Sequence, residues 1–205
     1  MASAREIDTG MEGFRFWPGV LSASEQAGLL AEVLGAVEAA PFYQPVTRSG
    51  RPFSVEMTSL GPLGWVSDRK GYRYQPTHPV TGAPWPPMPE RLTDLWRDLT
   101  DWPDPPDACL VNLYRGTAKM GLHQDLDERD HGAPVLSISL GDTAVFRIGA
   151  AGGGPTRTLR LASGDACALT GPARLARHGV DRLIVGSSSL TPGGGRINLT
   201  LRRAL

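Results

Sequence analysis

Only two cysteines occur in the 205 residues. Cys109 and Cys167 lie far apart in apolar surroundings, so they read as reduced core residues of a cytosolic protein rather than a disulfide framework. Neither sign of charge is in excess: Lys+Arg and Asp+Glu each number 21. No global field therefore draws the chain to nucleic acid or to an anionic membrane, and any such contact must come from a local patch. No uninterrupted apolar run approaches the ~20 residues that span a bilayer. The opening residues MASAREIDTGMEGF carry acids and no apolar h-region, so no secretory signal is expected and a cytoplasmic location is. Turn formers are abundant instead. The 25 glycines and 18 prolines make about a fifth of the chain, against a usual ~12%. That composition leans towards an all-β or α+β domain with many short strands. At this length one domain with a proper core is expected, with monomer as the default.

Two helices stand out in the first half. Ser22 followed by Glu25 forms a capping box, and Leu29, Leu30, Val33, Leu34 and Val37 then share one face until Pro41 stops the pattern. The run PERLTDLWRDLTDW, with Pro89 in its first turn, points Leu92, Leu95, Trp96 and Leu99 inward. Between them, about residues 41–88, lies an aromatic and basic region with some strand character. From Ala108 onward the texture changes to short β-rich runs: ACLVNLYR, PVLSISLG, TAVFRIG, RTLRLASGD, ACALTG, RLIVGSS and RINLTLR. Seven strands so closely spaced suggest a sandwich or jelly roll. The expected organisation is an N-terminal helical extension and flap over residues 1–107, packed on a β core over 108–205 as one compact domain. AAGGGP and PGGG read as loop tips.

The segment GLHQDLDERDHGAP raises the question of chemistry. His123 and Asp125 are two residues apart, so on an extended strand both point to one face. HxD pairs occur by chance in solvated turns, and a third ligand is needed. His78 lies in a Pro-flanked loop and His131 in a polar tip, whereas His178 precedes a β-rich run far enough on to come from another strand. Two histidines and one carboxylate form the facial triad that leaves open positions on Fe(II). The C-terminal strand adds weight. Period two places Arg196, Asn198, Thr200 and Arg202 on one face of RINLTLR, and Asn112 and Tyr114 share a face of the earlier strand. Such a face is either a solvated edge or a seat for a small dicarboxylate, which guanidinium forks bind bidentately.

Taken in order, LVNLY, HQDLDE, RHG and RINLTLR resemble the AlkB family of Fe(II)- and 2-oxoglutarate-dependent dioxygenases, the alkylation-repair demethylases. VEMTSLGPLGWVSDRKGYRYQP upstream is similar to that family's substrate-recognition segment, and the resemblance spans roughly residues 41–203. It implies a mainly β (α+β) fold: a double-stranded β-helix, or jelly roll, with N-terminal helices and a nucleotide-recognition flap. It implies that His123, Asp125 and His178 bind iron, and that Asn112, Tyr114, Arg196, Asn198 and Arg202 hold 2-oxoglutarate. Asp127 resembles the acidic contact to the damaged base, and Trp65 and Tyr72, with Tyr74 beside them, resemble the aromatics bordering the base pocket.

The implied reaction consumes O₂ and 2-oxoglutarate, releases succinate and CO₂, and hydroxylates an N-methyl carbon that then leaves as formaldehyde. A cationic 1-methyladenine or 3-methylcytosine suits aromatic faces and a carboxylate. The methyl lies on the Watson–Crick edge, so the implied partner is single-stranded or flipped-base nucleic acid. Arg48, Arg51, Arg69, Lys70 and Arg73 cluster near the expected pocket and offer phosphate contacts. Some positions depart from the family pattern: the hairpin AAGGGP lacks a basic residue, Leu126 replaces a familiar lysine, and Ala176 and Arg177 stand where aromatics are common. The alternatives are a dioxygenase acting on tRNA, protein or a small molecule, and a non-enzymatic jelly-roll module. Glu128, Arg129, Asp130 and His131 are expected to be a solvated turn.

Overall fold

The computed structural model describes residues 5–205. Its elements run β1 (Phe14–Trp17), α1 (Ala23–Ala39), β2 (Glu56–Leu60), β3 (Gly64–Asp68), β4 (Gly71–Gln75), α2 (Glu90–Thr100), β5 (Ala108–Tyr114), β6 (Met120–His123), β7 (Val135–Gly141), β8 (Thr143–Gly149), β9 (Thr156–Leu161), β10 (Ala166–Leu169), β11 (Arg177–Ile184) and β12 (Arg196–Arg202). Six strands form one antiparallel sheet in the order β1-β10-β7-β12-β5-β2, four form a second in the order β6-β11-β8-β9, and β3 pairs only with β4. This is a jelly roll carrying a separate two-stranded flap. The six-stranded sheet draws strands from both sides of residue 107.

The core has two layers because the six-stranded sheet is buried on both faces. Its outer face packs Cys109, Val111, Leu136, Ile138 and Leu199 under α1 and α2, which contribute Leu29, Val33, Leu92 and Trp96. Its inner face meets the four-stranded sheet through residues such as Leu110, Val135, Phe146, Ile148 and Val180. ACLVNLY and RINLTLR are buried at every position, because both faces of these strands are covered although RINLTLR alternates polar and apolar residues. The helices form as their patterns predict. Ser22 accepts from the Glu25 backbone N–H while Glu25 accepts from that of Ser22, completing the capping box. Pro89 is the N-cap of α2 rather than a residue of its first turn, and Asp101 ends that helix in the left-handed conformation, φ 56°. Both cysteines are free and buried. Among the described residues no helix is long and apolar enough to cross a membrane.

Candidate active site

His123 closes β6 and His178 is the second residue of β11, and the register of these paired strands sets the two directly opposite each other. β6 ends at His123, so Asp125 lies two residues beyond the strand, and its carboxylate still converges with both imidazoles as the i, i+2 spacing suggests. The Asp125 backbone carbonyl takes a hydrogen bond from Arg174 at 3.0 Å, which holds that segment. Each imidazole pairs its Nδ1 with the carbonyl two residues back, Gly121 at 2.9 Å and Ala176 at 3.0 Å. Nδ1 must therefore be the donor, which leaves the Nε2 lone pair of each ring free to ligate. Both Nε2 atoms lie 3.8 Å from Asp125 carboxylate oxygens, and the three ligand atoms fall within 4.8 Å of one another.

Asp125 presents one oxygen and anchors the other. Oδ1 accepts from Arg202 at 3.0 Å, while the buried Oδ2 has no hydrogen-bond partner. A buried carboxylate oxygen without a partner is costly unless a cation meets it. Burial works to raise the Asp125 carboxyl, but Arg202, then His178 and His123, outweigh it and hold the group well below the usual carboxylate range. Burial pushes the His178 imidazole down to about 4, against the pull of Asp125. Around neutral pH the cluster is thus a carboxylate and a neutral His178, the protonation states a metal requires. The donor set fits Fe(II).

Next to this cluster lies a cavity of about 290 Å³ between the two sheets. Its polar wall is built by β12 and its neighbours: Arg196 stands opposite Tyr114 and Asn198 opposite Asn112 on β5. The alternation in RINLTLR does put its polar residues on one face, yet that face is interior, because β12 lies between β5 and β7. The strand starts after Gly195 (φ 95°), where a Cβ would collide with the Tyr114 carbonyl. Arg196 is 1% exposed. One of its nitrogens donates to Ser139 Oγ (2.8 Å) and to Asn198 Oδ1, while Nε and Nη1 have no partner. Burial depresses the basicity of this guanidinium, so two unsatisfied donors of a buried fork await an anion. The Tyr114 ring lies 5.5 Å from its carbon, and Asn112 Oδ1 is also unpartnered. A five-carbon dicarboxylate suits this wall.

The cavity mouth is lined by Trp65 and Tyr72 from the flap, Asp127 from the loop after the metal cluster, and Phe53. Trp65 and Tyr72 stack at 5.5 Å with an interplanar angle of 27°, and Phe53 meets Trp65 edge-on. The Trp65 indole N–H donates to Asp127 Oδ2 at 2.7 Å. Of the residues expected from sequence to bind iron, 2-oxoglutarate or the base, all but Tyr74 line this cavity, and the basic residues Arg48, Arg51, Arg69, Lys70 and Arg73 lie outside it. Tyr74, two residues on from Tyr72 along β4, does not line the cavity: it is half-buried and its hydroxyl donates to Glu128.

Glu128 departs from the solvated turn expected of the segment GLHQDLDERDHGAP. It is not solvated but 6% exposed. Arg174, 2% exposed, donates to Glu128 Oε2 at 3.1 Å, to the Asp125 carbonyl, and to the Ala133 carbonyl at 2.7 Å. The Arg202 Nε lies 3.3 Å from Glu128 Oε1, without hydrogen-bond geometry. A buried chain Arg174–Glu128–Arg202–Asp125 therefore holds the carboxylate of the metal cluster. Local sequence carries no signal for it, since five charges within the six residues 125–130 read as a solvated turn. Ser137 and Ser139, by contrast, were recoverable: they alternate along β7 as Asn198 and Arg196 do along β12.

Comparison with known proteins agrees with this site. The 2OG-Fe(II) oxygenase superfamily model matches residues 13–202. An Alpha-ketoglutarate-dependent dioxygenase AlkB homolog of Caulobacter vibrioides is 64% identical over 197 residues, covering 96% of this chain and 90% of that protein. Alpha-ketoglutarate-dependent dioxygenase AlkB of Escherichia coli is 42% identical over 188 residues, covering 89% and 86% respectively. Among solved structures, OsALKBH1 superposes with a TM-score of 0.85 at 30% identity, covering 97% of this chain and 100% of that one.

Proposed function

The chain belongs to the AlkB family of Fe(II)/2-oxoglutarate-dependent dioxygenases, and from that premise we propose that it demethylates N-alkylated bases of the 1-methyladenine and 3-methylcytosine type in single-stranded or flipped-out nucleic acid. His123, Asp125 and His178 hold Fe(II). Arg196 pairs with the distal carboxylate of 2-oxoglutarate, with Tyr114, Asn112 and Asn198 around it. Arg202 fixes Asp125 and borders the same cavity. Bound iron with 2-oxoglutarate and O₂ supplies hydroxylation of the N-methyl carbon, with succinate and CO₂ released and formaldehyde lost from the hydroxymethyl adduct.

The observation that carries the substrate reading is the aromatic pair Trp65–Tyr72 beside the Asp127 carboxylate at the cavity mouth. A base methylated on its Watson–Crick edge carries a positive charge, which ring faces and a carboxylate both attract. Because that edge is hidden in a duplex, the base must leave the stack to reach iron. Arg48 and Arg69 add the phosphate-facing charge. The Arg48 guanidinium lies against Gly71 and near the Tyr72 ring, and that of Arg69 lies against Gly50, which joins two basic turns at the flap tip. Arg73 is instead paired with Asp68 at 2.8 Å.

The test is incubation with Fe(II), 2-oxoglutarate, ascorbate and oligonucleotides carrying 1-methyladenine or 3-methylcytosine, following methyl loss by mass. Loss of 14 mass units per lesion with matching succinate is the expected result, as follows from replacing one methyl by hydrogen (roughly 14 Da). Succinate release without methyl loss from any DNA or RNA overturns the substrate and moves the reading to a protein side chain or a small molecule.

A further inference from the structure

The four-stranded sheet leaves one face uncovered. Its inner face packs Ala144, Phe146, Ile148, Leu161, Val180 and Leu183 into the core, and both helices lie on the other sheet. Strand pairing fixes what the outer face carries. Arg177 pairs with Gly149; Arg147 pairs with Gly179 and Thr158; Val145 pairs with both Arg160 and Arg182. Since side chains alternate across a strand, Arg147, Arg160, Arg177 and Arg182 all stand on the side opposite the core.

Their charge is almost unopposed. Asp181 is the one acidic residue in β6, β8, β9 and β11, and it meets only Arg182, 3.2 Å away at an exposed position. Arg147 donates to the Thr156 hydroxyl and Arg177 to the carbonyls of Ala150 and Gly154, so both keep their full charge. Arg160 has no carboxylate partner among the described residues. Val145, outside the inter-sheet core, is only 6% exposed, and Arg160 and Arg182, its cross-strand partners, are themselves exposed. A chain with balanced charge therefore concentrates four arginines on one sheet face. The row begins at Arg177, beside His178, and extends about 13 Å along the strands, four residues at ~3.3 Å each.

We propose that this arginine-bearing face binds the phosphate backbone of a nucleic-acid strand as it leaves the active site. The proposal rests on the nucleic-acid reading above. Carboxylates of a protein partner would serve one guanidinium at a time, whereas a polyanion matches a group of four cations with a single acid, Asp181, among them. The hairpin tip, residues 150–155, carries no charge to oppose a phosphate strand beside this row, and Arg177 holds that tip in place.

The test compares wild type with Arg160→Glu/Arg182→Glu, two exposed positions remote from the cavity. Binding of 5- and 25-nucleotide single strands is measured by fluorescence anisotropy across a salt series, and turnover on a methylated 5-mer is followed in parallel. The 25-mer affinity of the variant should fall at least tenfold. Its log K against log salt slope should flatten by about 1.4, roughly 0.7 for each phosphate no longer neutralised. Turnover on the 5-mer should stay unchanged. Arg160→Lys/Arg182→Lys should retain both affinity and slope, and Asp181→Asn should tighten the 25-mer; these two variants keep the idea testable if charge reversal impairs folding. An unchanged slope in the Glu variant, with wild type binding the 25-mer in a salt-dependent way, overturns the surface and leaves the substrate reading standing. Absence of strand binding by wild type overturns both. Loss of binding to phosphatidylserine vesicles with strand binding intact overturns the surface in favour of a membrane.

Discussion

The indole N–H of Trp65 donates to Oδ2 of Asp127 at 2.7 Å, joining the flap to the loop that carries the metal aspartate across 62 residues of sequence. The same carboxylate is the one proposed to meet a cationic base. Trp65 thus aims Asp127 and simultaneously offers a ring face beside it, and the two roles separate by substitution. Trp65→Phe keeps a face and removes the donor; it should lower kcat/KM for 1-methyladenine roughly tenfold, the loss of about 1.4 kcal/mol for a hydrogen bond to a charged acceptor. Asp127→Asn should cost more with cationic lesions than with neutral ones. Equal losses on both would remove charge pairing from the account.

Arg196 is buried with two unsatisfied donors, so its cost in the apoprotein is recovered only when an anion binds. Arg196→Met should raise the KM for 2-oxoglutarate by roughly 100-fold, about 2.7 kcal/mol, within the range for truncating one partner of a buried charge pair. The apoprotein should be no less stable. Thermal melts with and without 2-oxoglutarate check this: the ligand should raise Tm for wild type and leave the variant unmoved.

Removing one charge from Arg174–Glu128–Arg202–Asp125 leaves the remainder buried and uncompensated. Glu128→Ala should destabilise the fold by about 3–5 kcal/mol. Glu128→Gln, which keeps the volume and an acceptor for Tyr74, should fold but bind Mn(II) or Co(II) more weakly, because Arg202 then bears on Asp125 alone. Calorimetric metal titration reads this directly, and wild-type affinity in Glu128→Gln would show that Asp125 is positioned without the network.

The His178 shift has a stability consequence whose sign is defined. Its folded value, about 4, lies below the ordinary histidine value of 6.5, so the native state binds fewer protons than the unfolded chain between those limits. The contribution is complete above pH 6.5 and is lost as pH falls towards 4, on the order of 3 kcal/mol in total. Urea midpoints of the chelated protein should decline across that window. The decline should be smaller in His178→Gln, measured under the same conditions.

Periodicity was enough to locate most of this molecule. The capping box at Ser22, the apolar faces of both helices, the strand runs after Ala108 and the shared face of Arg196 and Asn198 depend on neighbours a few residues apart, where side-chain direction follows from backbone geometry alone. The triad was legible for a different reason: HxD, RHG and RINLTLR stand in an order that identifies a family, although nothing local to His178 marks it as a ligand. Tertiary structure decided the rest. It ended β6 at His123, short of Asp125, left Tyr74 out of the cavity lining, and buried Glu128 between two arginines from distant segments. Charged residues in a Gly/Pro-rich loop look solvated by composition, and only the arrival of Arg174 and Arg202 from other parts of the chain offsets the cost of taking Glu128 and Asp125 out of water. The uncovered arginine face likewise exists only once β8, β9 and β11 are in register, because its members are scattered over 36 positions of sequence and become neighbours through strand pairing.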